Sequence, residues 1–188
     1  MRGLDPRPRR AKSTEKPVKP KERRVKEHVY NVTTQWTGND GAGTRSYTSY
    51  RRDHELSVAG KPTIPASSDP NFRGDRTRYN PEELLVASVS SCHMLWYLHL
   101  CAVNKVVVMN YTDAAVGTME EEADGAGQFV RIVLKPTVTI RAESDRQRAL
   151  DLHHEAHRFC FIARSVNFPV EVAAEIVESP AVLDQARQ

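Results

Sequence analysis

Asn80-Pro81-Glu82-Glu83 leads into LLVASVSSCHMLWYLHLCAV, and no other stretch of this chain restricts its fold as strongly. An N-cap asparagine, a proline at the first helical position and two acids in the first turn start a helix for steric and electrostatic reasons. Asn80 and Glu83 have the spacing of a capping box. The residues beyond this cap are apolar or small on nearly every face, so the expected helix is buried on most sides and runs through the core, carrying Cys92 with it.

The flanking segments read as sheet. HVYNVTTQW, beginning at His28, embeds Val29, Val32 and Trp36 among residues of strand propensity. The turn-rich TGNDGAGT comes next, and RSYTSYRRDHELSV resumes a strand rhythm, which predicts an antiparallel meander. Residues 60–79 hold prolines and glycines with little periodicity and read as a long loop of the kind that covers something. After the helix, VVVMNYTDAAVGTMEEE and GQFVRIVLKPTVTIRAE predict a hairpin about EEEADGAG. Ser144, with Gln147 three residues on, caps a second helix whose apolar stripe is Ala149, Leu152, Ala156, Cys160 and Ala163. FPVEVAAEIVE closes as a strand. The order argues an α+β fold with antiparallel sheets wrapped around the long helix.

Charge divides the 188 residues unevenly: residues 1–27 hold 11 Lys+Arg against 4 Asp+Glu and four prolines, leaving 16 against 20 for the rest. With almost no apolar side chains, this start reads as a disordered basic tail, residues 28–180 as the folded domain and 181–188 as a polar end. No aromatic residues interleave the tail's charges, so nucleic acid is not expected as a partner. The sequence holds no uninterrupted run of about 18 apolar residues and no secretory h-region, so neither a membrane span nor export is expected. Three cysteines are poor material for a disulfide scaffold and fit a reducing, cytoplasmic setting in which thiols do chemistry.

Cys92 alone reads as a small core hydrophobe. Cys160 on the apolar face of a second helix changes the weighing, because two helices sharing a core can bring their thiols together. RYNPEELLVASVSSCHMLWYL and HEAHRFCFIARSVNFPVEV resemble the two signature regions of the OsmC/Ohr family over roughly residues 28–178. The resemblance implies an intertwined homodimer with sites at the subunit interface, a peroxidatic Cys92, a resolving Cys160, organic hydroperoxides as substrates and a dithiol or lipoyl-type reductant. Neither metal nor flavin is implied. Burial alone raises a thiol pKa, so an activating cation is needed. The family supplies it as an arginine paired with the motif glutamate, which maps to Arg45 held by Glu82, with Arg51 and Arg52 as rivals. Departures from the family pattern are Phe161, where many members have proline after the second cysteine, and the bulky stretch after Cys92.

Other chemistries weigh less. His153, His157 and Cys160 follow i, i+4, i+7 and would form a metal site with His93 and Cys92, but there is neither HExxH nor a CxxC knuckle. Ser88, Ser90 and Ser91 lack the GxSxG elbow of a hydrolase. Cys101 reads as a core thiol, and Trp96, Phe72 and Tyr79 as core or as the wall of an alkyl pocket. The alternative within the family is a non-catalytic thiol sensor or small-ligand-binding protein.

Overall fold

A computed structural model describes residues 26–179; the basic stretch up to residue 25 and the polar end beyond 179 lie outside the described residues. Residues 26–31 carry no regular element and are exposed.

Helix α1 spans Pro81–Val103 and starts as the sequence dictates. Asn80 Oδ1 accepts from the Glu83 backbone N–H at 2.7 Å, and the Glu83 carboxylate accepts from the Asn80 N–H at 3.2 Å. Its own chain covers one stripe, Val89, His93, Tyr97, Leu100 and Cys101, at spacings of three or four. Leu95 and Val103 are 63% and 61% exposed. The expectation of burial on most sides therefore does not hold within a single chain. Although Ser and His interrupt every apolar run, an 18-residue window of α1 averages a hydropathy of 1.4, long and apolar enough to cross a bilayer. A helix packed inside protein has the same composition, and the inward-facing His93 of α1 is hydrogen-bonded to a second helix.

The strands form three small sheets. β1 (Thr33–Trp36), β2 (His54–Ser57) and β3 (Ile64–Ala66) form the expected antiparallel meander, but it begins at Thr33 rather than His28, and all of β1 is exposed. Residues 45–53 are loop, and the segment 60–79 contributes β3 and a 3-10 turn at Pro70–Phe72.

The long hairpin is bent across two sheets. β4 (Val108–Asp113) pairs with β7 (Pro136–Arg141), whereas β5 (Val116–Glu121) pairs with β6 (Gly127–Leu134). The bend falls where Asp113 Oδ1 accepts from the Lys135 N–H at 2.7 Å, and Pro136 has no N–H for a continuous ladder. The closing strand divides at Ala173-Ala174 into β8 (Val170–Val172), parallel to β6, and β9 (Glu175–Ser179), parallel to β7. These two sheets are thus mixed rather than purely antiparallel, because α2 carries the chain back as a crossover, the connection that parallel pairing requires.

That helix, α2, spans Arg146–Phe159. Its N-cap is Asp145, which accepts from the Arg148 N–H at 2.9 Å, whereas Ser144 Oγ accepts from the Val107 N–H at 3.0 Å and ties the loop after α1 to the start of α2. Ala149, Leu152, His153 and Ala156 face inward onto Tyr97, Leu100 and Cys101 of α1 above β4, β7 and β9. A second cluster joins Val89 to Ile132 and Leu134 of β6.

Candidate dithiol site

Packing α1 on α2 brings two cysteines from distant parts of the chain to one place. Cys92 lies half-buried on α1; Cys160, the C-cap residue of α2, is fully buried, and neither is in a disulfide. Cys160 Sγ approaches the Val89 carbonyl at 4.0 Å, one turn before Cys92, and accepts from the Ala163 N–H at 3.4 Å. Burial pushes the Cys160 thiol up to about 11, with the Ala163 N–H opposing and a hydrogen bond with Cys92 adding to the rise. Cys160 therefore holds its proton near neutral pH, with the Val89 carbonyl as its acceptor. Cys101, nine residues along α1 from Cys92, stands in the core, where burial raises its pKa and Tyr97 and Arg148 oppose. Two and a half turns separate it from Cys92.

The arginines expected to serve Cys92 all lie in the β1–β2 connection. Arg51 is paired with Asp40 at 2.9 Å and with buried Asp53 at 2.5 Å. Arg52 lies between the rings of Tyr47 and Tyr50, 4.3 and 4.1 Å from their centroids, and donates to both backbone carbonyls. Arg45 is exposed and makes no ion pair among the described residues. Glu82 Oε2 is buried without a hydrogen-bond partner among them. The chain alone thus leaves Arg45 and Glu82 apart. Glu82 stands about 15 Å from Cys92 along the helix axis, at 1.5 Å per residue.

Among the cavities along α1, two lie near the level of Cys92 or before it. The larger, about 770 Å³, is lined by Glu82, Val86, Ser90, Met94, Asp113 and Phe129 among others; it holds four carboxylates, no Lys or Arg, and does not include Cys92. Ser90 Oγ donates to Asp113 at 2.5 Å, fastening α1 to the bend of the hairpin. A smaller cavity of about 280 Å³ is lined by Leu95, Trp96 and His99, which follow Cys92 at i+3, i+4 and i+7 and share its face. Phe72 and Tyr79 line neither cavity.

His93, the next residue after Cys92, turns the other way. Its Nε2 meets His153 Nδ1 at 3.0 Å, and the Tyr97 ring stacks on His153 with centroids 3.8 Å apart. Burial, then the His157 charge, lowers the His93 pKa to about 4 against the pull of Asp113; burial, then His93 and His154, lowers that of His153 to about 3. Both rings are neutral at pH 7, and one donates to the other. His153 therefore belongs to a core hydrogen bond, and no group of three or more His, Cys, Asp or Glu among the described residues is placed to hold a metal. The sequence signal for the pair was available: Val89-His93-Tyr97 and Ala149-His153-Ala156 put each histidine on a buried stripe.

The OsmC-like protein family model matches residues 74–175, more than half of the chain and all of the α1–β9 region but its last strand residues. This α+β chain belongs to that family. An OsmC-like protein of unknown function from Vibrio cholerae is 33% identical, with a TM-score of 0.69 over 80% of this chain and 100% of that one. The organic hydroperoxide resistance protein OhrB of Bacillus subtilis is 27% identical over 108 residues, 57% of this chain and 76% of that protein. The structure of an organic hydroperoxide resistance protein from Elizabethkingia anophelis shares the fold, at 17% identity and a TM-score of 0.58 over 82% of this chain and 100% of that one.

Proposed function

We propose that this chain reduces organic hydroperoxides to alcohols, with Cys92 as attacking thiol and Cys160 as resolving thiol. The observation that carries the reading is the approach of Cys160 Sγ to the α1 backbone at Val89, one turn before Cys92, in a family that includes an organic hydroperoxide resistance protein. The Cys92 thiolate attacks the O–O bond. One oxygen stays on sulfur as a sulfenic acid, and the other leaves as alkoxide and takes a proton to become the alcohol. Cys160 then attacks the Cys92 sulfur, expelling hydroxide that leaves as water, and a disulfide forms. An external dithiol, small or lipoyl-borne, returns both thiols by exchange.

The division of labour follows from burial. A thiol held protonated at pH 7 attacks peroxide poorly, and Cys160 is such a thiol, whereas half-buried Cys92 is open to a substrate. Condensation with an adjacent sulfenic acid is within one chain and needs only proximity.

A second copy of the chain completes the site, its Glu82 holding the activating Arg45 against the Cys92 of the first. Arg45 projects without an acidic partner among the described residues, and Glu82 has a buried oxygen without a donor in a cavity of carboxylates. Arg45 of one copy paired with Glu82 of another satisfies both, and a homodimer would also cover the exposed face of α1. Steady-state turnover of cumene hydroperoxide with dithiothreitol or dihydrolipoamide tests the reading. Turnover that Cys92→Ser abolishes supports it; turnover at wild-type rate in that variant contradicts it. A thiol sensor would form the disulfide once without cycling.

A further inference from the structure

Resting on the peroxidase reading, we propose that Trp96 forms an arene-binding platform beside the dithiol and biases the enzyme toward hydroperoxides bearing an aromatic ring. Trp96 follows Cys92 by one helical turn on the same face of α1. Its indole stacks on Phe159 with centroids 5.1 Å apart at 25°, and meets the ring of Phe161 edge-on at 5.7 Å and 86°. Phe159 and Phe161 are the residues on either side of Cys160. The aromatic cluster is therefore contributed by the same two segments that carry the thiols.

The cluster is open where a substrate would enter. Phe161 is 67% exposed, and Trp96 with Leu95 and His99 lines the cavity of about 280 Å³ that begins one turn along α1 from Cys92. A cavity of roughly 150 Å³ accepts benzene, so this one has room for a ring with a branched carbon. His99 meets the indole edge-on at 5.9 Å, which leaves the cavity walled by π-faces and one leucine. A flat ring gains offset-stacked or edge-to-face contact there, and a straight alkyl chain gains only burial. The larger cavity is a poorer place for such a group, since four carboxylates line it.

The stacking difference corresponds to a preference of about two- to tenfold. Two measurements test it. In the first, kcat/KM is compared for cumene hydroperoxide and tert-butyl hydroperoxide in the wild type, Trp96→Leu and Trp96→Phe. The aryl-to-alkyl ratio is expected to fall several-fold in Trp96→Leu and to return in Trp96→Phe. An equal loss for both substrates, or an unchanged ratio in both variants, overturns the proposal. In the second, Trp36→Phe leaves Trp96 as the only indole of the two in the chain, and its fluorescence is titrated with 2-phenyl-2-propanol and with tert-butanol. Saturable quenching by the aryl alcohol at several-fold lower concentration supports the platform even if no hydroperoxide is turned over, in which case the peroxidase reading alone has failed. Equal response to the two alcohols sinks the platform whatever the turnover.

Discussion

Cys92 and His93 are neighbours on one helix, and each meets its own kind across the same junction: Cys92 meets Cys160, and His93 meets His153. The thiol pair joins fully buried Cys160 to half-buried Cys92, which opens at the edge of the core with an aromatic cavity one turn along its helix. The histidine pair stands in the core, with relative exposures of 1% and 3%. A step of about 100° around the helix separates chemistry from structure. A neutral imidazole bond thus locks α1 and α2 in register, and that register brings the thiols together.

The largest effect expected separates the pairs by activity. Cys92→Ser should abolish peroxide turnover, at least a thousandfold, with the unfolding midpoint barely changed; Cys160→Ser should allow one sulfenic acid per chain, trapped with dimedone, and block cycling with dithiols. Full cycling in either variant would erase the distinction between edge and core.

Next comes stability. His93→Ala leaves His153 buried with an unmatched nitrogen and should cost about 2–4 kcal/mol in urea unfolding, with disulfide yield falling as the helices lose register. The pair also sets a pH dependence. Both histidines have folded-state pKa values below their ordinary one, so below about pH 6.5 the unfolded chain takes up protons that the folded chain refuses. Stability should therefore fall on acidification from about pH 6.5 toward 4, by on the order of 1–2 kcal/mol per pH unit. Urea titrations at pH 7, 6 and 5 check this, and His153→Gln should flatten the slope; an unchanged slope would place the proton uptake elsewhere.

A smaller effect belongs to the arginines. Arg45→Ala should slow the first reaction with peroxide by about tenfold to a hundredfold, read by stopped-flow Trp96 fluorescence, and Arg52→Ala by less than twofold. The reverse order would move the activating cation from Arg45 to Arg52. The smallest effect is at Cys101, where Cys101→Ser should leave both turnover and the disulfide unchanged.

The parts of this arrangement legible in the sequence were those encoded locally. The start of α1 is written in Asn80, Pro81 and Glu83, and the second helix shows in its apolar stripe. The bends at Lys135 and Ala173 were not legible, because strand propensity runs on through them and only the Asp113 hydrogen bond and the pairing partners decide where each strand changes sheet. Asp145 displaced Ser144 as a cap because Ser144 is engaged by Val107, 37 residues away. At the site, Cys92 and Cys160 could be named from the two motifs, whereas the inward turn of His93 and the clustering of Trp96 with Phe159 and Phe161 depend on how the helices pack. Arg45 and Glu82 could be paired only by resemblance, since the folds of loop and helix within one chain keep them apart.

The most direct measurement is peptide mapping of the full chain after one equivalent of cumene hydroperoxide, with free thiols blocked before digestion. A Cys92–Cys160 disulfide with Cys101 still blocked as a thiol, and complete reversal by dihydrolipoamide, is the result expected. Three blocked thiols, or a disulfide that includes Cys101, would contradict the assignment of Cys92 and Cys160 as the redox pair.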